Sequence, residues 1–171
     1  MVSNEEISVN KRNGRGKESL NIEKIHSMVG FATEGITGVS ASHVEMNSGI
    51  QFFDGVSTAD IQQILIKSAN DLITLESPNY QYVAARLLLF QLRKQLFHRL
   101  WDHPKFIDHI KTLIDKGLYD KDILVNYDES EIDRMGMWID HERDYNFTYA
   151  GLRQVMDKYL VQDRSTGDIF E

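Results

Sequence analysis

Residues 9–24 read VNKRNGRGKESLNIEK, and how the NGRGKES in their middle is understood decides the fold. Glycines followed by a lysine suggest a phosphate-binding loop, a motif with fixed spacing because backbone amides must curl round a phosphate and pass into a helix N-terminus. A Walker-type loop ending at Gly16 and Lys17 needs glycine where Lys11 stands and Ser or Thr where Glu18 stands. A dinucleotide fingerprint starting at Gly14 needs glycine where Ser19 stands. Neither spacing is met. A hairpin fits better: Ile7 and Val9 alternate with polar residues, Asn13-Gly14 is a strong two-residue turn signal, and a second extended run reaches Leu20. The tip carries four cations, Lys11, Arg12, Arg15 and Lys17, which locally suit a solvated turn.

Outward from the hairpin, the pattern becomes helical. Asn21 is placed to cap a helix with Ile22, Ile25, Val29, Ala32 and Ile36 on one face, ending near Gly35 or Gly38. A weaker helix is expected after Ser40, through Val44 to Phe52, broken by Asp54-Gly55. Ser57 followed by Asp60 resembles a capping box before Ile61, Ile64, Leu65, Ala69 and Leu72. Ser77-Pro78 should then open a long helix, roughly 79–98, whose LeuLeuLeuPhe run at 87–90 implies burial on several sides. Beyond Trp101, shorter helices fit 104–116, 129–138 and 149–158, and the tail KYLVQDRSTGDIF reads as two short strands about a turn at Ser165 to Gly167. The fold class is mainly α with a small β component (α+β), and the expected division is 1–98 and 99–171.

Composition narrows the function. The chain has 171 residues, 42% of them hydrophobic, enough for a packed core in one domain or two small ones. A net charge of -7 argues against nucleic acid as the main partner, because phosphate neutralisation needs a basic surface. No apolar run is long enough to span a bilayer and Met1 leads into polar residues, so no membrane association and a cytoplasmic location are expected. Without cysteine there is no disulfide, thiolate zinc site or thiol catalysis. His98, His103 and His109 are spaced by five and six, which does not place them on one helical face, so no metal site is read. The run Asp140-His141-Glu142-Arg143-Asp144 is read as caps and exposed ion pairs rather than acid-base machinery, and no catalytic residue is assigned. What remains is an anion site of unusual construction: Lys11 and Arg12 on the hairpin, the 18–24 junction, Thr58 and Lys94.

Five separated blocks, 9–26, 52–73 (FFDGVSTADIQQILIKSANDLI), 77–94 (SPNYQYVAARLLLFQLRK), 139–154 (IDHERDYNFTYAGLRQ) and 158–171, taken in order, closely resemble the N-terminal part of the large subunit of aerobic class I ribonucleotide reductase, in its bacterial and phage form. The first hundred residues are similar to the family's ATP-cone, a β-hairpin capped by four helices, and the remainder to the start of the helical region leading into the catalytic barrel. The resemblance implies an allosteric domain that binds ATP as activator or dATP as inhibitor of deoxyribonucleotide synthesis, with Mg2+. Carried across, it assigns Lys11 and Arg12 to the phosphates, Glu18 and Asn21 to the base, and Lys24 to phosphate. Ser19, Leu20, Ile22 and Glu23 complete the nucleotide-contacting junction, and Thr58 and Lys94 supply two further polar contacts. The implied partners are the rest of the large subunit, the radical-generating small (beta) subunit, and a second copy in a homodimer or higher oligomer. The sequence departs from the family at Phe31, where tryptophan is common, and at Gln62 and Gln91, where histidines are common. The family's redox and radical cysteines lie beyond the stretch matched here, so this polypeptide alone is expected to reduce no ribonucleotide. Two alternatives stand beside the sensor: a cone that has lost nucleotide binding and serves as a protein-interaction module, and the cone of a reductase-operon repressor, which the absence of a cysteine zinc ribbon disfavours.

Overall fold

A computed structural model of the chain describes residues 8–10, 16–49, 55–99 and 103–171. The expected Asn13-Gly14 turn, the cations Lys11, Arg12 and Arg15, the Asp54 side of the second turn and Trp101 lie outside these residues. The structure forms two compact units. One takes the described residues up to Leu89 together with Phe147–Leu152, and the other takes Phe90–Asn146 with Arg153–Glu171.

The first unit is built on the hairpin. Strands β1 (Ser8–Asn10) and β2 (Lys17–Ser19) pair antiparallel, with Val9 opposite Glu18 and Asn10 opposite Lys17. A third strand, β3 (Val56–Ser57), which the periodicity did not reveal, pairs parallel to the other edge of β1, so that the order is β2-β1-β3. Two residues are too few to show alternation, and only the pairing makes them a strand. Asn10 Nδ2 donates to the Gly55 carbonyl at 2.7 Å and holds the approach to β3, where Gly55 takes φ 85.

Helix α1 (Ile22–Thr33) starts where expected, with the Asn21 side chain accepting from the Lys24 amide at 3.0 Å. It stops at Thr33, short of Gly35 and Gly38, which lie in the loop beyond it with φ 71 and 76. Helix α2 (Ala41–Ser48) is shorter than the expected run to Phe52: Gly49, in the left-handed conformation at φ 52, closes it. Helix α3 (Thr58–Asp71) is capped by Ser57 Oγ, which accepts from the Asp60 amide at 3.0 Å. Pro78 and Asn79 form a turn rather than the first helical positions, and α4 runs from Tyr80 to Phe97 until His98 turns to φ 57. Leu87, Leu88, Leu89 and Phe90 are all buried, as four consecutive apolar residues spread round a helix require.

Polar bonds fix how these helices meet. Ser68 Oγ donates to the Val44 carbonyl at 2.5 Å and joins α3 to α2, and Gln62 Nε2 donates to the Leu87 carbonyl at 2.8 Å and joins α3 to α4. Arg86 Nη1 donates to the Glu34 carbonyl at 2.6 Å, satisfying an acceptor at the end of α1.

In the second unit, α5 (Phe106–Asp115) and α7 (Glu129–Gly136) close over Ile107, Ile110 and Ile132, with Ile123 of the short α6 (Ile123–Asn126) packed against them. A reciprocal capping box opens α7: Asp128 accepts from the Glu131 amide, and the Glu131 side chain accepts from the Asp128 amide. Residues His141–Asn146 form a 3-10 helix, and α8 (Tyr149–Lys158) has the expected bounds. The tail forms the expected hairpin, β4 (Gln162–Asp163) with β5 (Asp168–Ile169). The Asp163 carboxylate accepts from both the amide and the hydroxyl of Ser165, bonds that hold its pKa below the usual carboxylate value.

Candidate functional site

The strand register decides which way the 18–24 junction faces. Residues directly opposite in an antiparallel pair share one face of the sheet, and Val9, opposite Glu18 and beside Val56, is buried at 3% exposure. The half-buried Glu18 carboxylate is therefore on the core-facing side, while its neighbours Lys17 and Ser19 are exposed on the other side. Leu20 and Asn21 carry the chain into α1, and Ile22, Glu23 and Lys24 form its exposed first turn. Asn21 Oδ1 accepts from the Lys24 amide at 3.0 Å, which holds the side chain at the start of α1.

Thr58 reaches the same sheet from another direction. It is the first residue of α3, directly after Ser57, which pairs with Asn10 at the end of β1 that leads into Lys11 and Arg12. Because β2 runs against β1 and β3 runs with it, the N-termini of α1 and α3 leave opposite ends of the sheet. From Ser8 to Asn10 these ends are about 7 Å apart, two steps at roughly 3.3 Å per residue. Lys11 and Arg12 lie outside the described residues. Lys94 is half-buried in the last turn of α4, on the part of that helix belonging to the second unit.

A groove of about 610 Å³ between α1 and α2 is lined by Ile22, Glu23, Ile25, His26, Glu45 and Ser48, among others. Two expected contact residues, Ile22 and Glu23, thus line a groove whose far wall is α2, an element the sequence reading left out of the site. Ile22 is 59% exposed there, an apolar wall open to solvent, and His26 Nδ1 meets Glu45 Oε1 across the groove at 2.9 Å.

Of the three departures, Gln62 is explained by packing. It is 2% exposed and its amide is committed to α4, so it acts as a strut inside the helical layer. The Asp140–Asp144 run is only partly what it was expected to be. Asp140 does cap, accepting from the Glu142 amide at 3.1 Å. Asp144, however, binds the buried guanidinium of Arg93 at 3.0 Å, and Tyr145 accepts from the same guanidinium at 2.8 Å. Nothing in the local sequence couples position 93 to position 144, which are 51 residues apart.

Among the described residues no group of three or more His, Asp or Glu side chains is arranged to hold a metal ion, and no helix is long and apolar enough to cross a membrane. Burial lowers the pKa of His109 below its usual 6.5. Burial, with a hydrogen bond to Glu171, raises the Tyr119 phenol well above its usual range.

Comparison with known proteins agrees with this architecture. The ATP cone domain profile matches residues 7–95, from the hairpin to the last turn of α4. The chain is 45% identical over 168 residues to ribonucleoside-diphosphate reductase 1 subunit alpha of Escherichia coli K12, covering 98% of this chain and 22% of that protein. It is 46% identical over 168 residues to the Haemophilus influenzae subunit alpha, with the same coverage. It is 42% identical over 165 residues to the subunit alpha of Enterobacteria phage T4, covering 96% of this chain and 22% of that protein. The chain thus spans about a fifth of the length of these relatives, and the similarity falls on their N-terminal region. With the profile covering more than half its length, and with the three-stranded sheet and helices α1 to α4 falling within the matched span, the chain belongs to the ATP cone domain family.

Proposed function

We propose that this chain is the adenine-nucleotide sensor of a ribonucleotide reductase large subunit, binding ATP as activator and dATP as inhibitor of ribonucleoside diphosphate reduction. The observation that carries the reading is the register placing Glu18 on the core-facing side of the hairpin, between the N-termini of two helices, inside the span that matches the ATP cone. The residue types suit an adenine nucleotide. A carboxylate such as Glu18 accepts from the exocyclic amine of adenine and repels the carbonyl that guanine has there, while the Asn21 amide donates to a ring nitrogen. Leu20 and Ile22 offer apolar surface to the base, and Ser19 and Glu23 contribute through their backbone. Lys11, Arg12, Lys24 and Lys94 supply cations for the phosphates, and Thr58 adds a hydroxyl at the favourable end of α3. Mg2+ would come with the phosphates, held by their oxygens.

With no cysteine, the chain itself supplies no thiol chemistry. The oxidoreductase reaction belongs to the rest of the large subunit with the radical-generating small subunit, in a homodimer or larger assembly whose activity this sensor sets. Calorimetric titration of the chain with ATP and with dATP, in magnesium, tests the reading. Saturable binding without turnover is expected, weakened by Glu18→Gln and abolished by Lys94→Glu. No heat and no thermal stabilisation with either nucleotide would leave the second reading, a cone that only holds a protein partner, for which the commitment of Gln62 to packing speaks.

A further inference from the structure

The charged run at 140–144, to which the nucleotide reading gives no role, is tied to one residue of α4. Arg93 is buried, and the bonds described for its guanidinium all go to the 3-10 helix His141–Asn146. Nη1 donates to the Tyr145 hydroxyl at 2.8 Å, and Nη2 donates to Asp144 Oδ2 at 3.0 Å and to the His141 carbonyl at 3.4 Å. The guanidinium carbon also lies over the Tyr145 ring, 5.1 Å from its centre. Arg93 Nε is buried and meets no acceptor among the described residues, so the hold is through the two terminal nitrogens. A buried guanidinium that loses its carboxylate moves toward water rather than stay charged and unpaired. The setting of Arg93, and of the helix end that carries it, therefore depends on positions 144 and 145.

Lys94 is the next residue. Successive helical positions lie about 100° apart round the axis, so the burial of Arg93 leaves Lys94 at the margin of the buried face, where it is half-buried. It stands in the last turn of α4, where carbonyls run out of helical partners and helix ends fray. A lysine there reaches a phosphate through a long flexible stem, and its contribution depends on how firmly the backbone beneath it is held. We propose that Arg93, Asp144 and Tyr145 are positioning residues for the nucleotide: the clamp on Arg93 holds the end of α4 so that Lys94 is presented to the phosphates. Arg93 itself, turned inward and neutralised by Asp144, is not the cation that the phosphates meet. The inference rests on the reading of the chain as an adenine-nucleotide sensor with Lys94 at the phosphates. It places two determinants of affinity, at 144 and 145, beyond the 7–95 span that matches the ATP cone.

The test is calorimetric titration of the full chain with ATP in magnesium, run well below the melting temperature of each variant. Asp144→Asn should weaken ATP binding about 10-fold, the order of one charge-assisted contact. Tyr145→Phe keeps the ring under Arg93 and loses only the phenol oxygen, and should weaken binding about 3-fold. Asp144→Glu, which keeps the counter-charge, should retain most of the parent's affinity. Lys94→Met weakens ATP by at least as much as Asp144→Asn, and because the clamp acts through Lys94, adding Asp144→Asn to it should cost less than about 2-fold more. A general loosening of the fold would not produce that non-additivity. Should Asp144→Asn fail to fold, Tyr145→Phe in the same two backgrounds decides by the same cycle. ATP affinity unchanged by Asp144→Asn and Tyr145→Phe, or an equal loss with and without Lys94, overturns the proposal. The two readings fail differently: ATP binding by the parent without the cycle removes only the positioning role, whereas no binding by the parent removes the sensor and the positioning role with it.

Discussion

Asp144→Asn tests how much of the second unit hangs on one ion pair. It would leave the 5%-exposed Arg93 guanidinium with Tyr145 and the His141 carbonyl but no counter-charge. Breaking a fully buried pair costs about 3–5 kcal/mol. Asp144 is 35% exposed, and solvent screening brings the expected loss down to about 1–3 kcal/mol in urea unfolding. His109 tests burial through pH. Its folded pKa lies below the 6.5 of the unfolded chain because desolvation disfavours the charged ring, so the unfolded state takes up the proton first as pH falls. The stability that neutral His109 allows is therefore present above about pH 6.5 and declines below it. His109→Gln should flatten the dependence of the melting temperature on pH between about 8 and 5; an unchanged slope would assign that dependence to other groups. Neither effect is legible at the residue itself. Position 144 sits in a run of charges that resembles any exposed helix end, and only the fold brings Arg93 to it.

At the scale of elements, helices α5 and α7 approach closely because Gly136 has no side chain. A Cβ built there would stand 2.6 Å from Phe106 Cβ, closer than two carbons can sit, with atoms of a packed core on the other side. Gly136→Ala should force the helices apart and cost about 1–3 kcal/mol, the range for overpacking, read as a lower urea midpoint with an unchanged slope. Helix starts were legible where a side chain does the capping locally: Asn21, Ser40 and Ser57 each accept from the amide three residues on, so cap and helix are neighbours in sequence. Strand β3 was not legible, because its two residues become a strand only by pairing with β1, some 47 positions away. The end of α2 was misplaced for a related reason. Its weakly amphipathic sequence set no clear stop, and Gly49 in the left-handed conformation closed it early.

For the whole molecule, the expected division after residue 98 becomes a proposal with a stability consequence. A chain cut there omits Phe147–Leu152, which the structure groups with the first unit and in which Leu152 is 3% exposed, while keeping Phe90 to His98 without the unit they group with. The 1–98 fragment should fold and still bind ATP, but melt below the full chain; equal melting temperatures would show that the later segment adds nothing to the sensor. Nucleotide should raise the melting temperature of both, since a ligand bound only by the folded state stabilises it by mass action.

The sequence by itself determined what depends on near neighbours and on composition: the hairpin in place of a phosphate loop, helices capped by Asn21 and Ser57, a buried α4 and the tail hairpin. Spacings of two, three and four residues act through covalently close atoms, so they can be read along the chain. Tertiary structure alone decided that Glu18 shares the core-facing side with Val9, that β3 brings Thr58 to the end of β1, that Gln62 is a strut, and that Asp144 neutralises Arg93. Each of these rests on a pairing between positions remote in sequence, set by which apolar faces can be buried together, and no local pattern encodes that choice.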